Sequence, residues 1–358
     1  MKKYIMLSIA IIILSLPISF IYAQNKAETE KLPIGKIIFL KGQCYLKHEN
    51  GNEYKKLFVD DPVFDSDTVK ASDNSQVDIE LTDESTISVL ENSEITINQS
   101  MLEKEKFTNL GILFGTLHLI VKKLSAGSFN INTLLVTAGV RGTEFTVTTR
   151  DDGAVLIDVE EGIVEIDHTK GRISLKKGDI EMYTLIGERR KLKGKIDYRK
   201  WRYQAIQKIK QNPEFYLNRM FEKEEKIIER LRVAHSKLVE YRKNWLTFLK
   251  RVRFFEKKGM YEQEKRLIKQ QIKKARMGLL FIIQTRKQLT MVKSIIALSY
   301  RIEKNAEINP KKIATLTKIR HEYSKISYII DKLNETEQTL RRVLYYLNVK
   351  YHRLEKRG

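Results

Sequence analysis

Apolar residues recur along the 358-residue chain with two different periods. In the first half they alternate with polar ones in short runs, at 35–40, 43–47, 76–81, 86–90, 94–98 and 115–121. Further runs lie at 128–132, 143–149, 155–159, 163–166, 173–176 and 180–184. Alternation in runs rich in Val, Ile, Thr and Phe predicts strands with one buried face. Glu49-Asn50-Gly51-Asn52, Asp151-Asp152-Gly153, Glu161-Gly162 and Lys177-Gly178-Asp179 separate several of them with residues that accept the positive φ of tight hairpins. Many short strands at such spacing predict an all-β region, a sandwich, a barrel or a short β-solenoid.

Beyond residue 198 the period changes. Ile227, Leu231, Ala234, Leu238, Tyr241, Trp245, Phe248, Val252 and Phe255 follow 4-3 spacing. A second seam runs from Ile268 through Leu279 and Val292 to Ile296, interrupted by Arg286, and a third from Leu316 through Leu333 to Leu354, interrupted at Glu337. An average repeat near 3.5 residues with charged flanks predicts coiled-coil-like packing. Lys258-Gly259 and Asn309-Pro310 mark the breaks, and Pro213 the end of a short connecting helix begun near Tyr198. Three helices of about 45 residues, each about 65–70 Å long, predict an antiparallel three-helix bundle.

Charge divides at the same place. Residues 24–193 carry 22 basic and 28 acidic side chains, whereas residues 194–358 carry 42 and 17. The expected organisation is therefore multidomain: an all-β domain at 34–190 and a basic helical domain at 198–357. The single cysteine, Cys44, excludes an intramolecular disulfide framework and a multi-Cys zinc site. The six histidines form no HxxxH or HExxH pair, and no catalytic constellation, cofactor site or metal site is expected.

Lys2 and Lys3 precede an uncharged run from Tyr4 to Asn25 containing Pro17, and Tyr22-Ala23-Gln24 offers a small residue at a cut position. This is the pattern of a signal peptide over residues 1–23, with a mature chain exported to the periplasm or the cell exterior. Left uncleaved, the run is long enough to anchor the chain in a membrane.

Residues 136–147, Val136-Thr137-Ala138-Gly139-Val140-Arg141-Gly142-Thr143-Glu144-Phe145-Thr146-Val147, resemble the signature of the FecR domain. Flanking stretches resemble the same family in order: Gly35-Lys36-Ile37, Leu40-Lys41-Gly42, residues 75–83, 113–117, 159–164 and 175–179. Ser66 and Glu84 stand where the family usually has turn glycines, so those turns, beside Asp67 and Asp83, are expected to be rearranged. The resemblance implies an extracytoplasmic β domain, which in the best-known members relays a signal from an outer-membrane receptor to a cytoplasmic sigma factor. With no cytoplasmic domain ahead of the apolar run, the expectation here is a non-enzymatic binding or scaffolding module of the cell envelope, or a sensory component of a signalling assembly.

Within the motif, Gly139, Arg141, Gly142, Thr143 and Phe145 read as structural residues. The stretch lacks the Gly-Lys-Ser/Thr ending of a phosphate loop. Phe145 and Val147 are expected in the core, and Arg141 beside a carboxylate or, if exposed, on an anionic partner. Asp60, Asp61, Asp65 and Asp67 lack the EF-hand pattern and read as a solvated turn. The surplus of positive charge on the helices suggests contacts with anionic lipid, a wall polymer, an acidic envelope protein or the acidic β domain, with Lys273, Lys274 and Arg276 as candidates. Export makes nucleic acid an unexpected partner.

Overall fold

In a computed structural model of the chain, the described residues are 32–49, 51, 53–102, 104–123, 126–168, 171–307 and 314–355, apart from the side chains of 241–243, 246 and 325–327. The expected signal peptide and the Asn309-Pro310 break lie outside them. The chain forms a mostly-β region followed by helices, and everything from Ile34 onward belongs to one compact unit.

The strands in chain order are β1 (Gly35–Lys41), β2 (Cys44–Lys47), β3 (Lys55–Lys56), β4 (Pro62–Val63), β5 (Asp67–Ala71), β6 (Gln76–Leu81), β7 (Thr86–Val89), β8 (Ser93–Leu102) and β9 (Glu105–Val121). They continue as β10 (Gly127–Asn132), β11 (Thr137–Val140), β12 (Thr143–Thr149), β13 (Val155–Glu161), β14 (Ile163–His168), β15 (Gly171–Lys176), β16 (Ile180–Tyr183) and β17 (Arg189–Leu192). They pair in two ladders. One runs β4-β1-β6-β7-β9-β12-β13-β16-β17. The other runs β3-β2-β5-β8-β9-β10-β11-β14-β15. Every pairing is antiparallel except β9 with β10.

Strand β9 belongs to both ladders. Residues 105–114 pair with β8 and residues 115–121 with β12, so the strand changes ladder at Gly115. Gly115 has φ +110, and a Cβ there would lie 2.2 Å from Ser93 Oγ. Only glycine fits both demands. The Ser93 hydroxyl accepts from the Thr116 amide at 2.8 Å, which ties the bend to β8.

The sequence pattern misses the shortest strands, β3, β4 and β17, and also β5 and β11. It catches only residues 115–121 of β9, because residues 108–114 are buried without alternation. A strand covered on both faces reads as a continuous apolar run, which period two does not reveal.

Four helices are described: α1 (Tyr198–Gln211), α2 (Pro213–Lys257), α3 (Tyr261–Asn305) and α4 (Ala314–Glu355). Asp197 caps α1 by accepting from the Lys200 amide, and Asn212 caps α2 by accepting from the Phe215 amide at 3.2 Å. Pro213 thus opens the first long helix instead of merely closing the connecting one, since the first helical position needs no N–H. The three long helices contact one another.

The apolar interior is shared. One cluster runs from Ile95, Ile112 and Leu134 among the strands into Leu289, Val292 and Ile295 of α3 and Leu316 of α4. A smaller cluster of Phe248, Val252, Ile268, Leu347 and Leu354 joins the helices farther along.

Glu224 of α2 is an exception to this apolar packing. It is fully buried, and neither carboxylate oxygen has a hydrogen-bond partner among the described residues. Burial, with the nearby charges of Glu322 and Glu225, pushes its carboxyl up to about 8. An unfolded glutamate titrates near pH ~4.3, so between about pH 5 and 8 the folded chain holds one more proton than the unfolded chain. Stability then falls as pH rises through that window. Glu224→Gln should raise the melting temperature, with the gain over wild type widening from pH 5 to pH 8 and reaching about 1–3 kcal/mol. Thermal denaturation across that pH range measures it.

Candidate functional site: the motif and the strand-helix interface

Residues 136–147 form β11, a turn and the start of β12. The Thr133 hydroxyl accepts from the Val136 amide at 3.0 Å and so fixes the approach to β11. Gly139 lies between Asn130 of β10 and Glu165 of β14. Gly142 turns the chain with φ +60, Thr143 donates to the Ile163 carbonyl at 3.0 Å, and Phe145 is fully buried. Arg141 is exposed at the turn, and no carboxylate among the described residues pairs with it. The expected ion partner of Arg141 is therefore not found there, because the turn points the side chain outward.

The four aspartates expected to form a solvated turn do not act as one group. Asp67 is buried, accepting from the Phe64 amide at 2.8 Å and meeting His48 Nδ1 at 2.8 Å. Asp61 accepts from the Phe58 amide. Asp65 accepts from the Gln99 amide at 2.7 Å and faces Arg286 of α3 at 3.5 Å. Backbone donors, His48 and Arg286 occupy the carboxylates of Asp61, Asp65 and Asp67 individually, which corrects the solvated reading for those three, whereas Asp60 is exposed.

The two turns expected to be rearranged keep the left-handed conformation that favours glycine. Ser66 has φ 71 and Glu84 has φ 62. Asp83 still closes its turn by accepting from the Ser85 amide at 3.0 Å, and it pairs with Lys106 at 3.2 Å. Backbone amides that donate to the adjacent aspartates hold a conformation that an L residue enters only at a cost.

The helices meet the strands through β9. Ser294 of α3 donates to the Ile112 carbonyl at 3.0 Å. A Cβ on Gly111 would come within 2.1 Å of Thr290 Cγ2, so helix and strand touch there with no room for a side chain. Arginines surround this contact. Arg301 grips Asp151 with two bonds of 2.6 and 3.1 Å and stacks 4.3 Å from the centre of Phe114. Arg202 of α1 donates to the carbonyls of Glu91 and Asn92 at 3.0 and 2.6 Å. Burial, then the charge of Arg301, pull the Arg202 guanidinium down to about 10 against the attraction of Asp151 and Glu91. Trp201 lies 4.4 Å beneath Arg150, which is itself paired with Asp152 at 2.5 Å.

The two interruptions of the helical seams, Arg286 and Glu337, are partners at 3.0 Å. Glu337 also pairs with Arg341 at 2.7 Å, and Arg341 reaches the Met101 carbonyl of β8 at 2.7 Å. Burial works to lower the Arg286 guanidinium, but Glu337, Asp65 and Glu49 together hold it above its ordinary value. A half-buried charged chain thus runs from Asp65 through α3 to α4 and back to the strands.

Of the basic residues singled out on α3, Lys273 and Lys274 are exposed, while Arg276 faces Glu105 of β9 at 3.4 Å. An open groove of about 530 Å³ between α2 and α3 is lined by Lys226, Arg230, Lys237 and Phe281. One group of three metal-ligand side chains occurs among the described residues, His118, Glu144 and Glu160. Sequence reading gave none of them a ligand role, since they lie on three strands and share no local motif.

The fold is thus a mostly-β region built on a shared strand, with helices laid against it. The family model described as FecR protein matches residues 67–165, and the chain carries a FecR domain there. Two crystal structures of a "putative anti-sigma factor" from Parabacteroides distasonis, at 2.50 and 1.65 Å resolution, are similar at 16% identity and a TM-score of 0.32. Each match covers 35% of this chain and 59% of the other, so the chain spans less than two thirds of that protein's length. No curated protein matches.

Two sets of variants test the geometry. Ser66→Gly and Glu84→Gly should each stabilise the fold by about 0.5–1 kcal/mol in chemical denaturation, since relief of left-handed strain outweighs the added freedom of the unfolded chain. Gly111→Ala should destabilise by about 1–3 kcal/mol through overpacking against α3. Adding Thr290→Ala should recover much of that loss.

Proposed function

We propose that the chain is an exported, non-enzymatic sensor or regulatory component of a signalling assembly in the cell envelope. The observation that carries this reading is the FecR domain at 67–165, in which the exposed Arg141 turn is free to meet an anionic partner. The helices extend the domain, and α3 rests on the strand that joins both ladders, so a change at the strands reaches the helices directly. In this reading the ladders face one another as a sandwich, and the long helices form an antiparallel coiled-coil-like bundle. Residues 1–23 direct export, placing 34–190 and 198–357 in the periplasm or outside the cell.

A scaffolding role is the second reading, favoured by the exposed Lys273 and Lys274 within the strongly basic helical half. There the helices would engage anionic lipid, a wall polymer or an acidic envelope protein through screened electrostatics.

In-cell crosslinking of the full chain separates the two. A regulator should crosslink stoichiometrically to one membrane-embedded signalling protein, with the yield reduced several-fold by Arg141→Glu and unchanged by Lys273→Glu/Lys274→Glu. A scaffold should instead bind anionic vesicles or wall polymer with steep salt dependence, be weakened by the lysine changes and be indifferent to Arg141.

A further inference from the structure

His118, Glu144 and Glu160 stand on the face of β9, β12 and β13 opposite the apolar interior. Their strand neighbours Leu117, Leu119, Phe145, Val147 and Val159 are buried, so alternation sends these three outward. His118 is level with Thr146, and Thr146 with Asp158. Between Glu144 and Phe145 the β12-β13 register shifts, leaving Glu160 as the extra residue of a bulge. A bulge re-aims a side chain, and here it swings Glu160 toward His118.

The result is a compact constellation. His118 Nε2 lies 3.4 Å from Glu144 Oε1, and Nδ1 lies 3.4 Å from Glu160 Oε1. One ligand atom from each residue lies within 4.8 Å of those from the other two. Two ligands bound about 2.0–2.2 Å from one ion at tetrahedral or octahedral angles stand about 3–3.5 Å apart, which the Nε2-Glu144 separation already meets. The Thr146 hydroxyl lies 3.2 Å from Nδ1 and donates to Glu160 at 3.1 Å, the second layer of contacts that orients a ligating imidazole.

Charge makes the same point. In a chain with 66 Lys and Arg residues, none of those described pairs with Glu144, Asp158 or Glu160. Asp158 is bonded to Tyr198 of α1 at 2.8 Å. Three carboxylates thus share one sheet face with a single imidazole, an arrangement that a bound cation would neutralise.

We propose that His118, Glu144 and Glu160 form a binding site for a divalent first-row transition ion of the Zn²⁺ type, with water completing its coordination. An imidazole beside two carboxylates suits such ions better than Ca²⁺ or Mg²⁺, which favour oxygen ligands alone. The bound ion ties β12 and β13 to β9, the strand on which α3 rests. The assignment stands independently of the regulatory reading.

The test uses the chelator-stripped full chain and metal alone. Titration with Zn²⁺ and with Co²⁺ should give one site that His118→Gln and Glu144→Gln each weaken at least tenfold, with unchanged circular dichroism. Equal affinity in the wild type and both variants overturns the proposal, as does the absence of binding. The wild type gives a separate readout through diethylpyrocarbonate labelling followed by peptide mass spectrometry. Zn²⁺ should protect His118 several-fold while leaving the exposed His352 labelled, and failure to protect His118 refutes the site even if a variant does not fold.

Discussion

The contact between α3 and β9 is the constraint on which the rest of this molecule depends. Helix and strand come so close at Gly111 that no side chain fits between them, and Ser294 bonds to the adjacent Ile112 carbonyl. Because β9 changes ladder at Gly115, the strand beneath the helix is also the hinge of the β region. Displacing α3 would uncover a strand already used on its other face, at the cost of exposing apolar area from both elements. The continuous apolar cluster across the two parts follows from this one approach.

Around that dry contact the opposite charges of the two halves find local expression. Arg202, Arg276, Arg286, Arg301 and Arg341 all reach carboxylates or carbonyls of the strands or of the turns between them. Planar guanidinium groups suit these positions because they bond bidentately and stack on rings such as Phe114 while partly desolvated. Much of the lysine remains outward, as Lys273 and Lys274 do, so the molecule carries both an internal electrostatic join and a basic exterior.

How much of this was legible in the sequence depended on whether the relevant period was local. The helices declared themselves through their seams, and most of the longer strands through alternation. Residues 108–114 hid their part of the strand because both faces are covered. Arg286 and Glu337 looked like two separate faults in two seams, whereas each is the other's partner across α3 and α4. Ser66 and Glu84 looked like lost turns because residue type was the only signal, while backbone amides donating to neighbouring aspartates maintain the conformation. The His118 group was beyond reach, since it needs the pairing of three strands and a bulge that no residue type announces.

The central claim is that strands and helices form one cooperative structure joined through β9. Native-state hydrogen exchange in rising denaturant measures this directly, by comparing amides of residues 110–114 with those of residues 292–302. The account predicts that both sets converge on one opening free energy and one denaturant dependence, that of global unfolding. Exchange of the α3 amides through a separate, lower-energy opening, with β9 still protected, would contradict it.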